Sequence, residues 1–148
     1  MTAPFRYYLR VRYQDCDAQH VVFNSRYSEY ADQMSIEFMR AALPRPTDGF
    51  DGTFEIQTVR QLIEWKAPAR FDNVLEVAAW VSRIGTTSFT LNAEMRRAGE
   101  ALVLATTETT YVRVDPKSFT KREIGPEMRA ALEAGARGKA TDHAGYLR

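Results

Sequence analysis

The chain has 148 residues, of which 45% are hydrophobic and 26% charged, so it is long enough to fold as one globular domain around its own core. Its 20 basic and 19 acidic residues give a formal net charge of +1, which provides no electrostatic argument for nucleic acid or a membrane surface as a partner. Cys16 is the only cysteine, so an internal disulfide is excluded.

The sequence pattern shows no segment that would direct the chain into a membrane. No run approaches the roughly 18–20 apolar residues that a membrane-spanning helix needs. The first 15 residues lack the apolar stretch and the small-residue cleavage site of a signal peptide. Together with the single cysteine, this pattern favours a reducing compartment, and we expect the protein in the cytoplasm.

The N-terminal third predicts a strand, a polar loop and a long helix. Residues 5–13 alternate between apolar and polar types, which is typical of a strand. Over residues 24–42, apolar side chains recur in steps of three and four, as on one face of an amphipathic helix. The side chain of Asn24 or Ser25 is expected to cap the helix start, and Pro44 to end the helix.

The two-residue period returns after a turn-rich loop at residues 45–53. It predicts four more strands, over residues 54–65, 74–84, 86–96 and 101–114. Turns at Gly85 and Gly99 separate the last three strands, so we expect neighbouring strands to be antiparallel.

The C-terminal part predicts a short helix followed by a loose segment. Residues 126–134 begin with a proline and are followed by Gly135, which are typical start and stop signals of a helix. Residues 135–148 are polar and contain glycines, so we expect a flexible tail. The predicted organisation is a single domain over residues 1–134 with this tail behind it.

This order of elements predicts an α+β fold. One face of a long, curved antiparallel sheet needs cover, and the helix over residues 24–42 is the one long amphipathic element that can supply it. We expect the first and last predicted strands to lie at the sheet edges, where a second copy can pair. The prediction is therefore a homodimer that forms through the sheet.

Two aspartates stand shortly before the predicted helix. Asp15 and Asp17 lie in the loop, and Asn24 opens the helix. The first turn of a helix carries unpaired N–H groups that can stabilise a carbonyl oxygen during acyl transfer. A nearby carboxylate can activate water or attack the acyl carbon. Turn and cap positions favour the same residue types, so spacing alone leaves both interpretations open.

Residues 15–32, DCDAQHVVFNSRYSEYAD, resemble the signature of the 4-hydroxybenzoyl-CoA thioesterase family of hotdog proteins. That signature has an aspartate, a short glycine-containing loop, an apolar pair, and a polar-capped helix with spaced tyrosines. Residues 63–77, IEWKAPARFDNVLEV, resemble the family's second strand, Pro-Ala turn and following aspartate. The likeness covers about residues 5–125. It implies the hotdog fold, with the sheet wrapped around one central helix, and acyl-CoA thioesterase activity.

The resemblance also implies roles for individual residues. Asp17 matches the catalytic carboxylate, acting as general base or as nucleophile. Asn24 matches the position whose backbone N–H polarises the thioester carbonyl. Coenzyme A is then part of the substrate, and we expect no separate cofactor. His20 stands where the family has glycine, and it is either an assisting proton shuttle or a loop residue lining the pocket.

Substrate contacts are predicted in two places. Tyr27, near the helix start, is a candidate to touch the acyl group. Coenzyme A carries phosphates, so cations and hydroxyl groups should border the pocket mouth, although each of these residues also fits an ordinary surface position. The candidates are Arg83, Thr86, Thr87 and Ser88, with Lys66 and Arg70 as further cations. We expect no metal site, because Asp15, Asp17 and His20 lack a fourth ligand.

Two other functions stay open. A hotdog dehydratase or hydratase depends on a histidine on or beside the central helix, and only His20 lies near it. A hotdog module that binds acyl-CoA without turning it over is also consistent, because fold does not decide activity. The expected partners are acyl-CoA and a second copy, as a dimer or a dimer of dimers. The sequence does not determine the identity of the acyl group. The residues that either line an acyl pocket or belong to the core are Phe38, Met39, Phe50, Phe54 and Trp65.

Overall fold

The computed structural model describes residues 3–43 and 55–148, so the predicted loop 45–53 lies outside the described residues. The strands are β1 (Phe5–Arg10), β2 (Ile56–Trp65), β3 (Val74–Ile84), β4 (Ser88–Arg97), β5 (Val103–Arg113) and β6 (Ala140–Asp142). The helices are α1 (Arg26–Ala42), α2 (Pro126–Ala134) and a 3-10 turn at Tyr13–Asp15. These elements confirm the predicted α+β class and, apart from β6 and the 3-10 turn, the predicted order.

The strands form one sheet in the order β2-β5-β4-β3-β1-β6. β3, β4 and β5 pair as antiparallel hairpins, which confirms the prediction from the glycine turns. β2 lies at the edge of the sheet far from β1, where it pairs antiparallel with β5. The predicted edges are wrong, because β1 is covered by β6 and β5 is covered by β2. The unpaired edges among the described residues therefore belong to β2 and β6.

The core lies between α1 and one face of this sheet. The helix presents its buried residues at steps of three and four, and the strands present theirs at every second position, because these are the periods of the two structures. The Phe38 ring of α1 meets the Phe5 ring of β1 edge to face, with centroids 5.8 Å apart. The buried side chains on these elements include Tyr27, Tyr30, Met34, Phe38, Leu75, Val77, Phe89, Leu91 and Met95.

The start of α1 is not capped in the predicted way. The helix begins at Arg26, and Ser25 at its N-cap makes no side-chain hydrogen bond to the helix backbone. An ion pair between Arg26 and Glu29, with an N–O distance of 2.9 Å, lies on the first turn instead. The backbone N–H groups at this end of the helix are thus left without a capping side chain.

The segment predicted as a loose tail joins the sheet. Residues Ala140–Asp142 pair in parallel with β1, and the Tyr146 ring stacks on Tyr8 with centroids 5.3 Å apart. The Tyr7 hydroxyl lies 2.9 Å from Nδ1 of His143. Burial, together with the nearby charge of Glu37, raises the pKa of Tyr7 to about 12. A strand of only three residues has too short a pattern to be recognised in a polar sequence, which is why the prediction missed it.

The two α-helices do not meet the requirements of a membrane span. Within residues 3–43 and 55–148, neither is long and apolar enough to cross a bilayer.

Candidate active site

A buried carboxylate holds the loop between β1 and α1. Asp15 is 1% exposed, and it accepts hydrogen bonds from the backbone N–H of Arg12 at 2.9 Å, the Arg12 guanidinium at 3.1 Å and the Tyr30 hydroxyl at 2.9 Å. Burial alone would raise the pKa of Asp15, but these hydrogen bonds and the Arg12 charge outweigh it and lower that pKa. Asp15 thereby ties the end of β1 to α1.

Asp17 lies two residues further on, at the surface of the same loop. Its backbone N–H donates to the Val21 carbonyl at 2.9 Å, and its Oδ1 accepts from the Gln19 N–H at 2.8 Å, which closes a local turn. No residue in the described part of the chain donates a hydrogen bond to Oδ2. One carboxylate oxygen is therefore held in place while the other remains available.

A cavity of about 360 Å³ connects Asp17 with the start of α1. Its walls include Asp17, Asn24 and Tyr27 from the loop and helix, and Trp65, Lys66 and Pro68 from the end of β2 and the turn after it. The volume is within the usual range of about 300–1,000 Å³ for small-molecule sites. The structure thus brings three of the predicted site residues to one cavity, together with the predicted cation Lys66.

Two residues that line this cavity together with Asp17 each carry a hydrogen-bond donor. The N–H of Asn24 reaches no acceptor among residues 3–43 and 55–148. The Tyr27 hydroxyl accepts a hydrogen bond from the Ala69 N–H at 3.2 Å, which leaves its own hydrogen free to donate. Burial raises the pKa of Tyr27, so the phenol keeps its proton at neutral pH. The arrangement offers a base or nucleophile together with neutral donors, as hydrolysis of an ester or thioester requires.

A second cavity, of about 390 Å³, also borders Asp17 and is lined by His20 and Cys16. The backbone of His20 has a φ of 64°, so the loop keeps the left-handed conformation that suits the glycine of the family pattern. Burial, with the charges of Asp15 and Asp17, raises the pKa of the Cys16 thiol, which makes it a poor nucleophile. Tyr13 and Phe71 form the aromatic wall, with ring centroids 6.1 Å apart.

The other predicted substrate contacts lie elsewhere in the chain. They surround the turn between β3 and β4, whereas the Asp17 cavity lies where β2 ends and β3 begins. The length of β3, 11 residues, separates the two places by roughly 33 Å. A single chain therefore does not bring this group to the cavity. Its members are Arg83, Thr86, Thr87 and Ser88.

The structure also locates the residues that the sequence assigned either to an acyl pocket or to the core. Phe38 and Met39 are buried in the core, whereas Trp65 lines the cavity. Phe50 and Phe54 lie outside the described residues. Among the described part of the chain, no three His, Cys, Asp or Glu side chains are grouped so as to hold a metal ion. The sequence did not predict that Val21, Phe23 and Pro68 line the cavity, because their positions there depend on how the loops pack against each other.

Comparison with known proteins places the chain in a family. The model of the thioesterase superfamily matches residues 19–104, which is more than half of the chain. The chain belongs to the thioesterase superfamily. This membership confirms the predicted class of enzyme, a thioester hydrolase, and it agrees with the hotdog arrangement of one long helix against an antiparallel sheet.

Individual proteins match more than four fifths of the chain. The acyl-CoA thioester hydrolase YbgC of Escherichia coli is 29% identical over 130 residues, covering 83% of this chain and 91% of YbgC. A hypothetical protein of Aquifex aeolicus has a similar structure, with a TM-score of 0.78, 25% identity, and coverage of 87% and 99% of the two chains. A 1,4-dihydroxy-2-naphthoyl-CoA thioesterase from Synechocystis shares the fold, with a TM-score of 0.76, 20% identity, and coverage of 86% and 94%.

Proposed function

We propose that this thioesterase hydrolyses an acyl-CoA, with Asp17 as its catalytic carboxylate and the backbone N–H of Asn24 as a donor to the thioester carbonyl. The observation that carries the proposal is the single cavity that both residues border at the uncapped start of α1. A negative charge that develops there is stabilised by the unpaired Asn24 N–H and by the positive end of the helix dipole.

The reaction needs three events at this cavity. The carbonyl oxygen gains negative charge and is stabilised by the Asn24 N–H, with the Tyr27 hydroxyl as a second donor. Asp17 either removes a proton from an attacking water or attacks the acyl carbon itself to form a mixed anhydride that water then cleaves. In both routes the C–S bond breaks, coenzyme A leaves as the thiol, and the acid is released. His20 in the second cavity is a candidate to shuttle the proton.

Two relatives support coenzyme A as the thiol part of the substrate. YbgC is named an acyl-CoA thioester hydrolase, and the Synechocystis protein acts on 1,4-dihydroxy-2-naphthoyl-CoA. At 20–29% identity, the acyl specificity of these relatives does not identify the acyl group of this protein's substrate. The first assay therefore measures the hydrolysis of a panel of aliphatic and aromatic acyl-CoA thioesters.

The open edge of β2 supports assembly as a homodimer. β2 is a 10-residue edge strand, with Val59 and Leu62 about half exposed or more. If two β2 strands pair antiparallel, the β2 end of one copy meets the β2 start of the other, where β5 and the β3–β4 turn lie. The predicted phosphate contacts at Arg83 and Thr86 would then reach the second copy's cavity. A dimer of dimers and a cytoplasmic location remain predictions.

The proposal is tested by removing the Asp17 charge while keeping its local turn. Asn can still accept the Gln19 N–H, so Asp17→Asn should fold normally and lose about 10²–10⁴-fold in kcat. The matched control is Asp142→Asn, because Asp142 also closes a local turn, with the Ala144 N–H at 3.0 Å, but lies on β6 at the opposite sheet edge. Full activity of Asp17→Asn would refute the mechanism.

The same assay separates the alternative functions. Release of coenzyme A from the panel identifies a hydrolase. Retention of intact acyl-CoA without release would identify a binding module. Water addition to enoyl-CoA, or its loss from 3-hydroxyacyl-CoA, would identify a hydratase or dehydratase.

A further inference from the structure

We infer that Trp65 is a positioning residue that holds the Asn24 backbone in place for catalysis, an inference that rests on the proposed function. Trp65 is the last residue of β2, and its indole Nε1–H donates a hydrogen bond to the Asn24 carbonyl oxygen at 3.2 Å. The same side chain lines the cavity that Asp17 and Asn24 border. It is therefore the direct link between the edge strand and the residue that carries the proposed oxyanion donor.

The backbone around Asn24 is held from two sides. On the loop side, the Phe23 N–H donates to the Asp15 carbonyl oxygen at 2.8 Å, and the Arg26 N–H donates to the Phe23 carbonyl oxygen at 2.9 Å. On the sheet side, the Trp65 indole holds the carbonyl of Asn24 itself. The Asn24 N–H lies between these fixed points. Its direction into the cavity thus depends on both the loop and the indole.

The exposure of Trp65 argues against a role in the core. Within a single chain, Trp65 is 54% exposed on a strand at the edge of the sheet, so the core of its own chain gives little reason for a tryptophan at this position. A smaller aromatic ring could cover the same wall of the cavity. What the indole adds over a phenyl ring is one N–H donor, and that donor is engaged with Asn24.

Loss of this link should affect the transition state more than substrate binding. The donor matters most when the carbonyl oxygen carries negative charge, and small misplacements of catalytic groups reduce the rate strongly. Outright loss of an oxyanion donor costs about 10²–10³-fold, so a loosened donor should cost about tenfold in kcat. KM should change by less than about threefold, because the cavity wall keeps an aromatic ring.

The chain contains its own control, because Trp80 is the other of its two tryptophans. Trp80 lies on β3 and lines a separate cavity with Leu62 and Asn92. The experiment compares Trp65→Phe with Trp80→Phe for kcat, KM, thermal midpoint and oligomeric state. We expect a tenfold lower kcat for Trp65→Phe alone, with the midpoint and assembly of both variants close to those of the unchanged protein.

A spectroscopic measurement reports on the donor itself. The best substrate of the panel, isotope-labelled at its carbonyl carbon, is bound to the slow Asp17→Asn protein and to the double variant that also carries Trp65→Phe. Infrared difference spectra then give the carbonyl stretch, which falls in frequency when the oxygen accepts a stronger hydrogen bond. We expect a smaller fall in the double variant than in the Asp17→Asn protein that retains Trp65.

The outcomes separate this inference from the proposed function. If the unchanged protein and Trp80→Phe hydrolyse acyl-CoA and Asp17→Asn is slower by about 10²-fold or more, the proposed function stands. The Trp65 inference is then overturned if Trp65→Phe has an unchanged kcat, or if the double variant has the same carbonyl frequency as the Asp17→Asn protein. It is also overturned if the kcat of Trp65→Phe falls only together with the thermal midpoint or with dissociation of the assembly, because that would be a structural effect. If no acyl-CoA is hydrolysed by the unchanged protein, the proposed function itself fails.

Discussion

Two aspartates separated by one residue have different surroundings in this protein. Asp15 is almost fully buried and accepts three hydrogen bonds, two from Arg12 and one from Tyr30. Asp17 is partly exposed, uses one oxygen in a turn and borders two cavities. The difference comes from α1, whose Tyr30 reaches Asp15 across 15 positions of sequence. We therefore assign Asp15 to holding the loop, and we propose Asp17 for chemistry.

The buried carboxylate of Asp15 should make stability depend on pH. Because its pKa is lowered in the folded state, its contribution is fully present above its unfolded pKa of about 3.9 and is lost as pH falls through the lower folded value. Asp15→Asn should lower the free energy of unfolding by about 2–4 kcal/mol at pH 7. Urea denaturation at pH 7 and near pH 3 should show this difference shrinking in acid. A difference independent of pH would contradict the assignment.

The positive φ of His20 predicts an unusual order of stabilities. At ordinary positions alanine is favoured over glycine, but a left-handed residue with a Cβ costs about 1–2 kcal/mol. His20→Gly should therefore be more stable than His20→Ala by about 1 kcal/mol, measured by denaturation. Both variants lack the imidazole, so their kcat also tests the shuttle. Activity retained in His20→Gly would assign His20 to the loop alone.

At the scale of elements, α1 carries both the core and the site. Its buried stripe packs on the sheet, and its uncapped start faces the cavity with Asp17. The apolar period predicted the stripe because that period follows from helix geometry. The missing cap was not predicted, since Asn24 and Ser25 are both good capping residues and only the backbone geometry shows that neither serves.

The packing of α1 predicts a large effect at Phe38. Its side chain is fully buried against Phe5, so Phe38→Ala should lower the free energy of unfolding by about 3–5 kcal/mol through lost contacts and a cavity. The control is Ile36→Ala on the same helix, where the side chain is 37% exposed and the change should stay near 0.5 kcal/mol or below. Equal losses in chemical denaturation would show that the helix does not pack as described.

At the scale of the whole molecule, the edge of β2 should determine assembly. Val59 is 59% exposed in the middle of this strand, next to Arg60. Val59→Lys would place added positive charges near the two-fold axis of a β2–β2 pair, where like charges repel. Light scattering should show the unchanged protein at about twice the 16.9 kDa of one chain and the variant shifted towards one chain.

Activity should follow assembly if the second copy completes the site. Val59→Lys is therefore expected to lose hydrolysis along with the dimer, whereas Leu147→Lys, at an exposed position in the C-terminal segment beyond β6, should change neither. A monomeric unchanged protein with full activity would rule out the proposed contribution of the β3–β4 turn.

The local elements of this protein follow from its sequence alone. The periods of two and of about 3.6 residues, with proline and glycine at the ends, predicted β3 at Val74–Ile84 and α2 at Pro126–Ala134 with their observed bounds. These signals are local, because side-chain direction repeats along each element. The resemblance over residues 15–32 singled out Asp17 and Asn24 through the order and spacing of neighbouring residues, which are local properties as well.

The way in which these elements meet is a property of the tertiary structure. The tertiary structure places β2 beside β5 and β6 beside β1. It also buries Asp15 and leaves Asp17 at a cavity. It also joined Trp65 to Asn24, 41 positions apart, through one hydrogen bond. Such contacts depend on the path of the chain between distant segments, and no period within one element carries that information.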